Sequence, residues 1–154
     1  DVIAKAQRII VVEAVDNPSN IGAIVRCATG LGWDGLICDS TSADPLSRRA
    51  LRVSMGSAFS LRFARTNDIA QTLSELRAQN FKLFALTPDE NATNISDVKL
   101  ESSQKRALIF GSERAGLSTQ AIANADALVR IEMNPEVDSL NVAAAAAISC
   151  YALR

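Results

Sequence analysis

The sequence predicts an α/β fold in which a parallel β-sheet carries helices on both faces. Short apolar, β-branched runs alternate along the chain with segments of helical periodicity, and polar or glycine-rich turns separate them. Alternating strands and helices form parallel sheets, because a helix carries the chain back to the start of the next strand. The length of 154 residues is that of one domain, and no internal repeat or low-complexity tract divides it.

The first half of the chain begins this alternation. The β-branched run at residues 9–15 predicts a buried strand, and a polar turn follows it. Apolar residues then recur at helical spacing over residues 20–31, where glycines end the helix. A short strand is predicted at residues 36–38, and a polar loop with a short helix at residues 41–57. An Asn-Asp pair at the start of residues 67–79 predicts a capped helix there.

The second half continues the pattern. Three further strands are predicted, at residues 81–86, 107–110 and 128–131. Residues 87–104 are polar and are interpreted as a connection. A short helix is predicted to begin at Ser118, and a final, nearly all-apolar helix at Ser139 or Leu140.

The composition excludes several classes of site. Histidine is absent, which excludes Ser-His-Asp and Cys-His catalysis and His-ligated metals. No GxGxxG fingerprint follows the first strand, and no GxxxxGK[ST] loop occurs, so a dinucleotide or P-loop site is not expected. The cysteines form no CxxC pair, so we expect no metal and no disulfides, and we interpret them as buried thiols of a cytoplasmic protein: Cys27, Cys38 and Cys150.

The charge balance and the apolar stretches carry further expectations. Sixteen basic and 17 acidic residues give a net charge of −1, so the chain as a whole exerts no attraction on nucleic acid or membranes. The longest apolar stretch, residues 140–153, falls short of the ~20 residues that span a bilayer. The first eight residues lack the pattern of a signal peptide. We therefore expect no membrane association.

Three turns with unusual polar or glycine content follow predicted strands, at residues 16–20, 111–116 and 132–141. Ligands of parallel sheets bind beyond the carboxyl ends of the strands, which makes these turns the candidate site. Taken singly, their residues have ordinary structural interpretations. Asn20 and Ser139 fit helix N-caps and Glu113 fits a turn carboxylate, while Arg26 lies off the apolar stripe of its helix and fits a solvated arginine.

Taken together, three blocks in this order resemble the SpoU (TrmH-type) family of SPOUT methyltransferases, which methylate ribose 2′-hydroxyls of RNA. The blocks are NIGAIVR at residues 20–26, FGSERAGLS at 110–118, and IEM with VDSLNV at 131–133 and 137–142. They are similar to the family's Asn/Arg motif, its GxExxGLS motif and its IPM…SLNV motif. One departure is Glu132, which stands where the family usually has proline. The resemblance covers essentially the whole chain, as one methyltransferase catalytic domain.

The resemblance implies a fold, a cofactor and an assembly. It implies a deep trefoil knot at the carboxyl-terminal end, with S-adenosylmethionine bound among the knotted loops. The implied cofactor-binding residues are Gly111, Ile131, Met133, Ser139 and Leu140. A glycine at position 111 would permit close approach, because it lacks Cβ. The family also implies a homodimer through the last helix; an all-apolar helix is also found as a buried core element, but the dimer interface is the favoured interpretation.

The resemblance also implies the catalytic and RNA-binding residues. Arg26, supplied by the partner subunit, would contact the substrate phosphate and ribose and assist loss of the hydroxyl proton. Because arginine is a reluctant base, stabilisation of the developing alkoxide is its safer physical role. The residues that would position it are Asn20, Glu113, Ser139 and Asn141. Twelve of the 16 basic residues are arginine, and the RNA-facing group is predicted to be Arg26, Arg48, Arg49 and Arg52, with Arg62 and Arg65 as further members unless they flank a strand.

Two other interpretations stay open at this point. One is a knotted RNA-binding domain without catalytic activity, which the retained polar residues of the three blocks disfavour. The other is an unrelated α/β nucleotide-binding enzyme, which the missing phosphate loops disfavour. These motifs do not separate tRNA from ribosomal RNA as the substrate. An upstream RNA-binding extension outside these 154 residues would account for the near-neutral charge.

Overall fold

The computed structural model describes residues 2–154 and contains a seven-stranded, all-parallel β-sheet. The strands are β1 (Arg8–Val12), β2 (Gly35–Asp39), β3 (Arg62–Thr66), β4 (Lys82–Leu86), β5 (Thr93–Asn94), β6 (Arg106–Phe110) and β7 (Ala127–Arg130). Their order across the sheet is β3-β2-β1-β6-β4-β7-β5. The predicted parallel α/β class is confirmed.

Six α-helices accompany the sheet in the described part of the chain. They are α1 (Val2–Lys5), α2 (Pro18–Gly30), α3 (Arg48–Val53), α4 (Ile69–Ala78), α5 (Thr119–Asn124) and α6 (Val142–Ala152). Alternate residues of the central strands face opposite layers: Ile10 and Val12 pack with α2, α3 and α6, whereas Ile9 and Val11 pack with α1, α4 and α5. Both faces of the sheet are therefore buried, which explains the continuous apolar runs of β1 and β6.

The strand predicted at residues 9–15 is too long, because β1 ends at Val12. Ala14 has a φ of +55°, which no strand residue adopts. Its N–H donates to the Asp39 carboxylate at 3.0 Å, and the N–H of Val15 donates to the Ser42 hydroxyl at 3.0 Å. These bonds to the end of β2 turn the chain away from the sheet toward α2.

Two helices begin at positions other than those predicted. The N-cap of α2 is Asn17, whose side chain accepts from the N–H of Ser19, and Pro18 opens the helix. The N-cap of α6 is Asn141. The interpretations of Asn20 and Ser139 as N-caps are therefore wrong: Asn20 lies inside the first turn of α2, and Ser139 precedes the cap of α6.

Three short elements were not predicted from the sequence: α1, β3 and β5. The strand β3 lies at the edge of the sheet, and its residues are exposed or half-buried, so its sequence lacks the apolar run of a central strand. Both Arg62 and Arg65 belong to it. β5 has only two residues and lies within the predicted polar connection, directly before a 3-10 helix (Ile95–Asp97). The other strands and α4 lie within a few residues of their predicted bounds.

The last helix, α6, is buried on one side and exposed on the other. It packs against α2 and β6, and five of its residues are buried. The indole N–H of Trp33 donates to the carbonyl of Cys150 at 3.0 Å and so ties α6 to the core. Ile148 and Tyr151, however, are 42% and 59% exposed, so an apolar part of the helix faces outward. Among residues 2–154, no helix has the length and apolar character that crossing a bilayer requires.

Candidate active site at the carboxyl edge of the sheet

A cavity of about 510 Å³ lies beyond the carboxyl ends of β4, β6 and β7. Its walls are the segments that follow these strands, beginning at Leu86, Phe110 and Ile131, and the first turn of α6 closes it with Val142 and Ala145. This is the edge at which parallel sheets bind ligands. The volume falls within the range of about 300–1,000 Å³ that is typical of pockets for small organic ligands.

All five residues predicted to contact a cofactor line this cavity: Gly111, Ile131, Met133, Ser139 and Leu140. They come from the loop after β6 and from the long loop between β7 and α6. Most of the exposed lining is apolar, with polar groups such as Thr87, Glu113 and Ser139 among it. That combination suits a ligand with an apolar body and a few hydrogen-bonding atoms.

Asn141 joins the three sequence blocks at the rim of the cavity. Its side-chain amide donates to the Oδ1 of Asn20 at 3.0 Å and to the Oε1 of Glu113 at 2.7 Å. Its own Oδ1 accepts from the N–H groups of Ala143 and Ala144 and thereby caps α6. Residues 121 positions apart in the chain are thus held by a single side chain.

Glu113 has a second role at this junction. Its Oε1 also accepts from the N–H of Val142 at 3.2 Å, which places a carboxylate at the amino end of α6. Asn20 is 8% exposed, and Asn141 satisfies its side-chain oxygen. The arrangement fixes the loop after β6 against two helices, so the rim of the cavity is held by polar contacts.

The fold of the loop after β6 itself requires a glycine at position 111. A Cβ on Gly111 would overlap main-chain atoms of Gly116 and the N of Leu117, so the close approach is to the chain's own loop. Gly116 has a φ of +67°, and its N–H donates to the carbonyl of Ser112 at 3.0 Å. The loop therefore folds tightly back on itself at the mouth of the cavity.

Glu132 does not enter the cavity. It is exposed, and its Oε2 accepts from the side-chain amide of Asn94 at 2.8 Å. This bond fixes the start of the long loop to β5, while the neighbouring Ile131 and Met133 line the cavity. At this position the chain has a hydrogen bond to the edge strand β5 where the family motif has a proline.

Sequence reasoning missed the other wall and a supporting contact. Thr87 and Pro88 line the cavity from the end of β4, and their only sequence signal is their place directly after a buried strand. Glu13 accepts from the N–H of Ser118 at 2.8 Å and so fixes the end of the loop after β6. The only sequence signal for this contact is a glutamate within an apolar run. It could be interpreted only if β1 were known to lie beside β6 in the sheet.

Asp39 anchors the turn that leads into α2. Burial alone would raise its pKa, but hydrogen bonds from the hydroxyls of Ser42 and Thr41 and from the N–H groups of Ala14 and Ser42 hold the pKa of the carboxyl below its ordinary value. The guanidinium of Arg65 donates to the carbonyls of Asp39 and Ser42, both at 3.1 Å. Arg65 is thus committed to this turn.

Arg26 is not brought to the cavity of its own chain. It is exposed on α2, it does not line the cavity, and within residues 2–154 it has no hydrogen-bond or ion-pair partner. Arg48, Arg49 and Arg52 are exposed on α3, which packs against α2. Arg49 is linked to α2 through a hydrogen bond from its Nε to the Ser19 hydroxyl at 2.8 Å. Four arginines therefore project from two packed helices.

The described residues contain no group of three or more metal-ligating side chains of the His, Cys, Asp and Glu types. The cysteines are free thiols, and burial raises the pKa of Cys38 to about 12 and raises that of Cys150 as well. Neither thiol is suited to nucleophilic chemistry near neutral pH.

Comparison with known proteins matches residues 7–151 to the family described as "SpoU rRNA Methylase family". An uncharacterized tRNA/rRNA methyltransferase of Mycobacterium tuberculosis is 42% identical over 97% of the chain. The 23S rRNA (guanosine(2553)-2′-O)-methyltransferase of Bacillus subtilis is 31% identical over 99% of it. An AdoMet-bound rRNA methyltransferase from Sinorhizobium meliloti superimposes with a TM-score of 0.87 over 95% of this chain and 55% of its own, at 29% identity. The chain spans 52% and 60% of the length of the two sequence relatives.

Proposed function

The chain belongs to the SpoU rRNA methylase family, and we propose that it transfers a methyl group from S-adenosylmethionine to the 2′-hydroxyl of a ribose in tRNA or ribosomal RNA. The observation that carries the proposal is the junction of Asn20, Glu113 and Asn141 at the rim of the cavity. It joins the three blocks of the family pattern beside a pocket of suitable size. The names of the relatives, which include tRNA and rRNA methyltransferases, support the class of substrate.

The residues that line the cavity fit S-adenosylmethionine. Ile131, Met133 and Leu140 offer apolar surface to an adenine ring, and the main chain around Gly111 and Ser139 offers hydrogen-bonding groups to its polar atoms. When bound, the cofactor supplies a methyl group activated by a sulfonium. The S. meliloti relative, which binds AdoMet, supports this assignment.

The chemistry left to the protein is to bind the ribose, orient its hydroxyl and stabilise the charge that develops on its oxygen. Orientation alone can supply about 7–11 kcal/mol of such a barrier. No histidine is present to remove the proton. Arg26 is assigned to the oxyanion and the adjoining phosphate, because a guanidinium presents several donors in a rigid fork. Asn20, Glu113, Ser139 and Asn141 are assigned to positioning the helix and the loops around it.

A homodimer is part of the proposal. Arg26 lies outside the cavity of its own chain, and we assign its delivery to a second copy of the chain. The exposed Ile148 and Tyr151 on α6, which packs beside α2, offer the apolar surface for such contact. The RNA would then meet Arg26 together with Arg48, Arg49 and Arg52 on α3.

Three further features of the proposal rest on the family resemblance. We assign a deep trefoil knot to the carboxyl-terminal loops, one catalytic domain to residues 1–154, and the cytoplasm as the location. The loops after β4, β6 and β7 pack around one cavity, which suits a knotted arrangement. The free cysteines suit a reducing compartment.

Calorimetry and a methyl-transfer assay test the proposal. S-adenosylmethionine and its demethylated product should bind, whereas ATP and NAD should not. With labelled cofactor and total RNA, Arg26→Ala should abolish transfer and leave cofactor binding within about twofold, because Arg26 is outside the cavity. Lys5→Ala is the control, because it removes an exposed cation from α1, on the face of the sheet opposite to α2 and α3. Cofactor binding without transfer by the wild-type protein would indicate a silent RNA-binding domain, and normal transfer by Arg26→Ala would refute the role of Arg26.

A further inference from the structure

A second cavity, of about 350 Å³, lies at the amino ends of the strands β1 and β6, whereas the candidate active site lies beyond the carboxyl ends of the strands. Arg8 begins β1 and Arg106 begins β6, and the two residues are direct neighbours in the parallel register. Both line the cavity, as do Ser102 and Arg154. Since β6 runs over five residues, this cavity is about 13 Å from the carboxyl edge and is separate from the proposed cofactor site.

The two arginines at its wall are incompletely satisfied. Arg106 is 4% exposed, and its guanidinium donates to the carbonyls of Leu153 at 3.2 Å and Ser102 at 3.3 Å. Arg8 donates to the carbonyl of Gly32 at 3.1 Å. The Nε atoms of both arginines are buried and have no acceptor among residues 2–154. A guanidinium has five N–H donors, so most of the donors of this pair are unused.

Their charges are also uncompensated. Neither arginine forms an ion pair in the described part of the chain, where the salt bridge found joins Arg77 and Asp126. The nearby Asp34 carboxylate accepts from the main-chain N–H groups of Gln7 and Arg8, both at 2.8 Å, and does not contact a guanidinium. Burial, and then the like charge of Arg8, lower the pKa of Arg106. The carbonyl of Leu153, at the end of α6, offers only a partial negative charge.

A buried cation beside a half-buried one, without a carboxylate, is costly unless an anion compensates the two charges. We propose that the cavity between β1, β6 and the end of α6 binds a phosphate group. A phosphate presents several acceptor oxygens, which match the unused donors of two guanidinium groups, and arginine forks bind it in bidentate geometry. Arg154, whose guanidinium lies 3.9 Å from the centre of the Tyr151 ring, and the hydroxyl of Ser102 complete the polar rim.

The phosphate comes from one of two sources, a backbone phosphodiester of RNA or a free phosphate compound. Both use the same chemistry at the same arginines. A backbone phosphate would make this cavity a remote anchor for RNA, at a distance from the ribose that is modified. A free phosphate would make it a separate ligand site.

The first test measures binding of inorganic phosphate by ³¹P NMR titration and by the shift in melting temperature against chloride of equal ionic strength. Wild type should bind, and Arg8→Gln should weaken binding about tenfold because it removes one guanidinium fork. Arg8 is only half-buried, so the variant is expected to fold. Arg154→Gln, at an exposed position, is a second variant that should weaken binding without affecting folding.

The matched control is Lys82→Gln. Lys82 begins β4 and pairs with Arg106 in the register, but it is exposed and does not line the cavity. The Lys82→Gln variant removes one positive charge at the same amino ends of the strands as Arg8→Gln. Its phosphate binding should stay within about twofold of wild type. Absence of phosphate binding by wild type, or equal weakening by Lys82→Gln and Arg8→Gln, would overturn the site.

The second test separates the sources with an RNA oligonucleotide. If Arg8→Gln weakens RNA binding and inorganic phosphate competes with RNA, the ligand is the RNA backbone. If Arg8→Gln weakens phosphate binding alone, the ligand is a free phosphate compound. Both results support the site, and neither depends on methyl transfer, so failure of the proposed activity would leave the test intact.

Discussion

Replacing Asn141 by aspartate separates the two roles of this side chain. Aspartate keeps an oxygen that can accept from the N–H groups of Ala143 and Ala144, so the cap of α6 is retained. It loses the amide that donates to Asn20 and to Glu113. A carboxylate would instead face the Glu113 carboxylate across the former 2.7 Å hydrogen bond.

The expected loss follows from the two hydrogen bonds. A bond to a charged acceptor contributes about 1.5–3 kcal/mol to stability and a bond between neutral groups about 1 kcal/mol. Solvent weakens the first, because Glu113 and Asn141 are both exposed, and a negative charge at the start of α6 returns a few tenths of a kcal/mol. We therefore expect Asn141→Asp to lower the free energy of unfolding by about 2 kcal/mol.

Urea denaturation followed by tryptophan fluorescence measures this change. Trp33 is the only tryptophan, it is 3% exposed, and its indole donates to the carbonyl of Cys150 in α6. Its fluorescence therefore reports the docking of the helix that Asn141 caps. Circular dichroism on the same samples checks that the two signals change together.

A second substitution tests whether the lost stability belongs to the pair. In Glu113→Gln, the glutamine amide can donate to an aspartate at position 141 while its oxygen still accepts from Val142. The double variant should be about 1 kcal/mol more stable than the sum of the two single losses predicts. Losses that add within about 0.3 kcal/mol, or an Asn141→Asp variant as stable as wild type, would refute the reasoning.

Three other substitutions or treatments give direct expectations. Gly111→Ala should lower the free energy of unfolding by about 2 kcal/mol or more, because its Cβ overlaps the Gly116 backbone, whereas Gly30→Ala, with open space around it, should be neutral or slightly stabilising. Asp39→Asn should lower the free energy of unfolding at neutral pH. Because the folded state lowers the pKa of Asp39, the difference in stability between wild type and variant should shrink as the pH falls through that lowered pKa. Parallel urea titrations of the two proteins measure this difference. Alkylation of the native protein at neutral pH should modify only the half-buried Cys27, and slowly, because burial raises its pKa. Reaction of Cys38 or Cys150 before unfolding would contradict the burial of these two thiols.

The fold could be predicted where burial determines the sequence. Central strands such as β1 and β6 are covered on both faces, so their sequences are continuous apolar runs. The residues of the edge strand β3 are exposed or half-buried, so its sequence mixes polar and apolar residues and does not form a continuous apolar run. Strand order was also beyond sequence reasoning, because it depends on which connection crosses which face. Backbone details such as the left-handed Ala14 arise from tertiary hydrogen bonds to Asp39 and were equally hidden.

The candidate site was predictable as a set of residues but not as a geometry. The order of the three blocks identifies Asn20, Glu113 and Asn141, yet each alone has an ordinary local interpretation. Two local interpretations were wrong because a neighbouring residue makes the cap: Asn17 caps α2, and Asn141 caps α6. The hydrogen bonds from Asn141 to Asn20 and to Glu113 span 121 and 28 residues of the chain, and no local pattern encodes contacts of that range.

The placement of the arginines explains how a chain of net charge −1 can bind a polyanion. Arg65 is committed to the turn at Asp39, and Arg106 is buried, so neither offers its charge freely to the solvent. Those on α2 and α3 are exposed, and their charges act over about a Debye length of 8–10 Å, which is shorter than the molecule. An RNA near α2 and α3 therefore meets a local positive field whatever the total charge. It follows that the salt dependence of RNA binding should fall when Arg48 or Arg52 is replaced by glutamine, and that an unchanged slope would place the RNA elsewhere on the protein.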